Sequence, residues 1–65
     1  MDSRDILAAL LADGWREARR RGSHMQLKHP TKPGLVTLPH PKRDLPNGTL
    51  RSIEKQAGLV LRKTR

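Results

Sequence analysis

The chain carries three histidines, His24, His29 and His40, and histidine is the side chain whose ordinary pKa suits proton transfer near neutral pH. There is no cysteine, which excludes thiolate nucleophiles, disulfides and Cys-based zinc sites. The six acidic residues are scattered, with no Asp-x-Asp or His-x-x-x-His pair. A divalent-metal nuclease needs converging carboxylates. No metal site and no cofactor are therefore expected. What remains is metal-free acid–base chemistry on a substrate that brings its own nucleophile. RNA is such a substrate. Its 2′-OH lies beside each phosphate, so a base to take one proton and cations to hold the developing charge are enough.

His24 is the best placed of the three. It follows a tight turn, has Ser23 as a neighbouring hydroxyl, and lies among Arg19, Arg21 and Lys28, which can reach phosphate oxygens. His29 sits five residues further along one strand, so it points to the opposite face. It reads as a packed or turn-capping residue. His40 stands between Pro39 and Pro41 and reads as structural. Spacing alone does not choose among them.

Positioning His24 takes a strand, and the hydropathy pattern predicts one over 23–28. Met25 and Leu27 fall on one face there, with His24, Gln26 and Lys28 on the other. A strand over 15–20, anchored by Trp15, precedes it across Arg20-Arg21-Gly22. A third strand is predicted over 35–38, after the turn signal Pro30-Thr31-Lys32-Pro33-Gly34. Pro39-His40-Pro41 ends it. A first helix is predicted over 3–12, capped by Ser3, with Ile6, Leu7, Leu10 and Leu11 on one face, and Asp13-Gly14 stopping it. A second opens at Asp44-Leu45-Pro46, turns Leu50, Ile53 and Ala57 inward, and closes at Gly58, with Leu59 folding back.

Short strands joined by tight turns form an antiparallel meander, and both one-sided helices should cover one of its faces. The fold class is α+β, in the order α-β-β-β-α. The expected core is Ile6, Leu7, Leu10, Trp15, Met25, Leu27, Val36, Leu38, Leu50, Ile53 and Leu59. The domain should run over about 3–59 with a charged end beyond it (60–65), frayed over 62–65. The other sheet face is left polar and basic.

Bulk properties agree with this layout. At 65 residues the chain makes one domain, which buries only roughly 60% of its unfolded surface. Net charge is +8, which points to a polyanionic partner: nucleic acid, an acidic protein, or both. The longest apolar run, Ile6 to Ala12, is too short to cross a membrane. A soluble cytoplasmic protein is expected.

Several segments together resemble the HicA toxins of bacterial and archaeal toxin–antitoxin pairs. They are Ser3-Arg4 with the Leu-rich helix, Asp13-Gly14-Trp15, Arg21-Gly22-Ser23-His24, Lys28-His29-Pro30, Pro39-His40-Pro41, Leu45-Pro46, Gly48-Thr49-Leu50, and Ile53 through Gln56-Ala57-Gly58-Leu59. The resemblance implies a fold like the double-stranded-RNA-binding domain. It implies metal-independent cleavage of mRNA with His24 as the catalytic residue. It also implies a HicB antitoxin that covers the site, with the toxin itself monomeric inside a larger complex. Arg19, Arg21, Ser23, Lys28, Lys42 and Arg43 form the candidate RNA-binding set. One departure is Leu27, where the family usually has Phe or Tyr; strand parity makes this a packing change. With Trp15 the only aromatic residue, base stacking is scarce, and weak sequence specificity follows.

Two other readings fit the composition. A non-catalytic RNA binder of the same fold would want a Lys-rich start to its second helix, whereas this segment reads Asp44-Leu45-Pro46-Asn47-Gly48-Thr49, with Lys42 and Arg43 only before it. A pure protein-interaction module would use its charge on an acidic partner.

Overall fold

A computed structural model describes residues 1–61; the frayed end expected over 62–65 lies outside the described residues. The elements are α1 (Ser3–Ala12), β1 (Arg16–Arg21), β2 (His24–Lys28), β3 (Val36–Pro39) and α2 (Asn47–Ala57). The strands form one antiparallel sheet in the order β1-β2-β3. The order of elements is the predicted one.

Met25 and Leu27 of β2 and Val36 and Leu38 of β3 meet Ile6 and Leu10 of α1 and Leu50, Ile53 and Ala57 of α2 in one buried cluster. Both helices therefore cover the same sheet face. Leu27 is fully buried, on the core side that strand parity predicts. Trp15 is also fully buried, but it precedes β1 and does not begin it. Leu45 and Leu61 join the core. Glu54 holds Leu61 in place by accepting its backbone N–H at 2.8 Å, which carries the packed region past Leu59.

The apolar face of α1 is narrower than its leucines suggest. Ser3, Ile6 and Leu10 form the buried stripe, at the i, i+3, i+7 spacing of one helix face. Leu7 and Leu11 lie one step round the helix. Leu7 is half-buried and Leu11 exposed. Ser3 is not the cap. Asp2 is, its carboxylate accepting the Arg4 N–H at 2.8 Å. At α2 the cap position falls on Pro46, later than predicted and without a side-chain hydrogen bond. Its far end closes at the left-handed Gly58, where the Gly58 and Leu59 N–H groups both donate to the Glu54 carbonyl.

Every residue of β1 is exposed. It is an edge strand whose arginines discourage pairing with another copy. The outer edge of β3 is covered instead. The Thr37 N–H donates to Gln56 Oε1 of α2 at 3.1 Å.

Asp13 ties the ends of the elements together. Its carboxylate accepts from Lys32 Nζ at 2.7 Å and Trp15 Nε1 at 3.2 Å. Lys32 also donates to the Ala57 carbonyl at the end of α2. These bonds hold the Asp13 carboxyl below the usual carboxylate range, the Lys32 hydrogen bond contributing most. His29 completes the joint. Its Nδ1 accepts from the Thr31 and Lys32 N–H groups, which places the ring proton on Nε2, donating to the Asp13 carbonyl at 2.7 Å.

Candidate active site

The turn between β1 and β2 decides where His24 points. Arg21 pairs with His24 across the ladder, so only Gly22 and Ser23 form the loop. Gly22 has φ +55°, and among the described residues no non-glycine residue has positive φ. A positive φ at the first central residue alone is the signature of a type II′ turn, the hairpin type that needs glycine there. His24 thus leaves a stiff turn as the first residue of β2, on the face away from the helices.

Ladder partners share a face. One row on the open face therefore holds Arg21, His24 and Pro39, and the next holds Arg19, Gln26 and Thr37. Lys28 follows, opposite Arg16. Arg16 itself is committed to α1, donating to the Leu11 carbonyl at 3.1 Å. Arg20 falls on the other face with Met25 and donates to the His40 carbonyl at 3.0 Å.

Among the described residues, no carboxylate stands on the open face. Asp2 pairs with Arg4, Asp13 with Lys32, and Asp44 with the N-terminal amine. Glu17 pairs with Leu27 on the helix side, and Asp5 and Glu54 lie on the helices. Among the described residues, Arg19, Arg21 and Lys28 have no ion-pair partner closer than 4.0 Å. Their charge is available to a phosphate. No three His, Asp or Glu side chains cluster among the described residues, and no helix among them is long and apolar enough to cross a membrane.

The three histidines divide by their bonds. His29 is engaged at both ring nitrogens. His40 points to the helix side, its Nδ1 2.8 Å from Ser3 Oγ. Ser3 is fully buried and its oxygen already accepts the Lys42 N–H. Its hydroxyl hydrogen needs an acceptor, and His40 Nδ1 is the one in reach. The neutral His40 ring therefore carries its proton on Nε2. His24 is exposed and makes no side-chain hydrogen bond among the described residues.

Arg19, Arg21, Ser23, His24 and Lys28 thus come together on one face and its end turn. Lys42 and Arg43 do not share that face. They lie in the loop after β3, where with Asp2, Arg4 and Pro41 they line a depression of about 270 Å³ beside the start of α1. The link between the two regions is His40, whose N–H donates to the Ser23 carbonyl at 2.8 Å. Ser3 holds its ring and Arg20 holds its carbonyl. Nothing in the spacing of Ser3, Arg20 and His40 announces this clamp, since its members lie up to 37 residues apart.

Comparisons with known proteins bear directly on this arrangement. A family model described as the HicA toxin of bacterial toxin–antitoxin systems matches residues 3–59. A solved structure titled the HicA3 and HicB3 toxin–antitoxin complex contains a chain of the same fold. It superposes with a TM-score of 0.81 at 33% sequence identity, covering 95% of this chain and 100% of that one. No curated protein matches the chain in sequence. With the family model spanning nearly the whole folded region, including the Gly22-Ser23-His24 turn, this chain belongs to the HicA toxin family.

Proposed function

We propose that the protein is the toxin of a type II toxin–antitoxin pair and acts as a metal-independent endoribonuclease on mRNA, with His24 as general base. The observation that carries this is the setting of His24. Among the described residues it is exposed and unengaged at the end of a stiff turn, opposite Arg21, on a sheet face with cations and no carboxylate.

In the proposed reaction His24 takes the proton of a 2′-OH. The 2′-oxygen forms a bond to the adjacent phosphorus while the bond to the 5′-oxygen breaks. That oxygen leaves with a proton returned by the imidazolium or by water, and the other product keeps a 2′,3′-cyclic phosphate. Arg21 faces His24 and stabilises the charge on the phosphoryl oxygens as it grows. Arg19 and Lys28 hold flanking phosphates along β2, with the Ser23 hydroxyl at the turn. Lys42 and Arg43 extend the cationic track past the end of the sheet.

The proposed antitoxin is a HicB protein, the kind of partner named in the related complex, and its proposed seat is the open face. A net charge of +8 favours an acidic partner surface. The toxin itself is taken as a monomer within that assembly, and the cytoplasm, where mRNA is met, as its place of action.

The test is purified protein with labelled RNA in excess chelator. Wild type cleaves and leaves cyclic-phosphate ends. His24→Ala does not cleave, keeps its circular-dichroism spectrum and is no longer toxic to cells. RNA retention without cleavage would make the chain a binding module of the same fold. Neither retention nor cleavage would leave the protein-interaction reading. Cleavage by His24→Ala would sink the assignment of the base.

A further inference from the structure

The open face is not flat. The ladder slips between Glu17 and Arg19, so the bulge leaves Ala18 unpaired. Bulges re-aim side chains and recur next to active sites. Here the small Ala18 side chain leaves room. A depression of about 300 Å³ opens, lined by Ala18, Arg19, Gln26, Lys28 and Leu35. That is the lower end of the range for small-ligand pockets, roughly 300–1,000 Å³.

Its lining has three kinds of chemistry. Arg19 and Lys28 supply positive charge at the rim. Leu35 is 42% exposed. It comes one residue before Val36, the partner of Leu27, so it falls in line with Lys28. Gln26 is half-buried between them, and its side-chain amide has no partner among the described residues. A surface built only for phosphates needs neither the leucine nor the amide. An unpaired nucleobase uses both. It offers a flat apolar face and an edge of donors and acceptors, and glutamine can both donate and accept along such an edge.

The position suits a neighbour of the cut. Gln26 lies two residues from His24 on the same strand face, about 6.6 Å along the chain, close to one nucleotide step of an extended single strand. We propose that this depression is the subsite for one unpaired nucleobase, that of the nucleotide adjoining the scissile phosphate, and that Gln26 reads its edge. The proposal rests on the ribonuclease reading above. It fits weak specificity: one amide without an aromatic platform gives a preference at one position, not a longer motif.

The test maps cut sites on a randomised RNA pool and measures binding of short oligo-A, oligo-C and oligo-U to the His24→Ala protein. Wild type is expected to favour one base class at one position beside the cut, by roughly fivefold or more. Gln26→Ala flattens that preference. Gln26→Glu, which only accepts, shifts it toward bases presenting an amino group. Leu35→Ala raises KM several-fold without changing which base is preferred. Cleavage whose map is the same in wild type and both Gln26 variants overturns the subsite and leaves the ribonuclease reading standing. Absence of cleavage by wild type, with oligonucleotide preferences that still change on Gln26 substitution, overturns the ribonuclease reading and supports the subsite as a base-binding site. Equal binding of all three oligonucleotides, unmoved by Gln26, overturns the subsite whatever the cleavage result.

Discussion

Arg21 and His24 are direct partners across the β1–β2 ladder, one on each side of the two-residue turn. On the proposed reaction the guanidinium meets the phosphoryl oxygens that gain charge as His24 removes the 2′ proton. Losing it should cost cleavage more than binding. Arg21→Ala is expected to lower kcat by about ten- to a hundredfold, below the 10²–10³ typical of a water-excluded donor because this site is open. Arg21→Lys should recover part of the loss, since charge survives but the planar fork does not. Single-turnover cleavage assays resolve the two.

RNA affinity should fall steeply with salt. Each phosphate contact on a single strand contributes about −0.7 to the slope of log K against log salt, so contacts by Arg19, Arg21 and Lys28 predict a slope of about −2, steepening toward about −3.5 on RNA long enough to reach Lys42 and Arg43. Lys28→Ala should make it shallower by about 0.7. Fluorescence anisotropy on the His24→Ala protein measures this, and a flat response would contradict the cationic-face reading.

Acid should loosen the fold through Asp13. Its carboxyl is held below the usual range, chiefly by the Lys32 hydrogen bond. A depressed folded-state pKa means stability that is fully present above the unfolded value of about 3.9 and is lost as pH falls toward the folded value. Asp13→Asn keeps an acceptor for Lys32 and Trp15 but removes the titration. Thermal midpoints between neutrality and pH 3 should fall less steeply in this variant than in wild type.

Two glycines should differ in what alanine does to them. Gly14 has φ +107°, and a Cβ there would lie 2.8 Å from His29 Nε2. Gly22 has φ +55° and nothing within 4 Å of such a Cβ. Gly22→Ala should therefore cost turn strain alone, about 1–3 kcal/mol. Gly14→Ala should add overpacking of about 1–3 kcal/mol and displace the His29 joint. Against a total stability of about 3–10 kcal/mol for a domain of this length, Gly14→Ala should remove a large share of the stability and melt well below Gly22→Ala. Gly22→Ala should stay folded and lose cleavage by misplacing His24. Thermal melts and cleavage assays separate the two effects.

Ser3→Ala should weaken the end of the sheet. It leaves the Lys42 N–H and His40 Nδ1 without their shared oxygen, a cost of about 1–3 kcal/mol for buried polar groups. Hydrogen exchange should rise at Lys42 and at His40, whose N–H holds the Ser23 carbonyl.

Much of this molecule is legible in one dimension. Period-two alternation in Met25-Gln26-Leu27-Lys28 settles which face of β2 is buried, because successive strand side chains must point to opposite sides. With parity known, His24, Gln26 and Lys28 fall on the solvent face without any coordinates. Gly22 marks the tight turn, and Gly58 marks the end of α2. The element order, the antiparallel sheet and the side on which the helices pack follow from the same local rules.

Tertiary structure decided what depends on contacts between distant segments. Three histidines look alike along the chain. Folding engages His29 with Asp13 and His40 with Ser3, and among the described residues leaves the His24 ring unengaged. Ser3 looks like a helix cap and is instead a buried hydroxyl bonded 37 residues away. Lys42 and Arg43 look like part of one basic patch but lie beside the start of α1, off the face that carries His24. The bulge at Ala18 is invisible in the pattern of β1 because no residue of that strand is buried. Hydropathy carries register only where one face must leave water. The edge strand, the loops and the hydrogen bonds between them are set by which partners the packed core brings within reach.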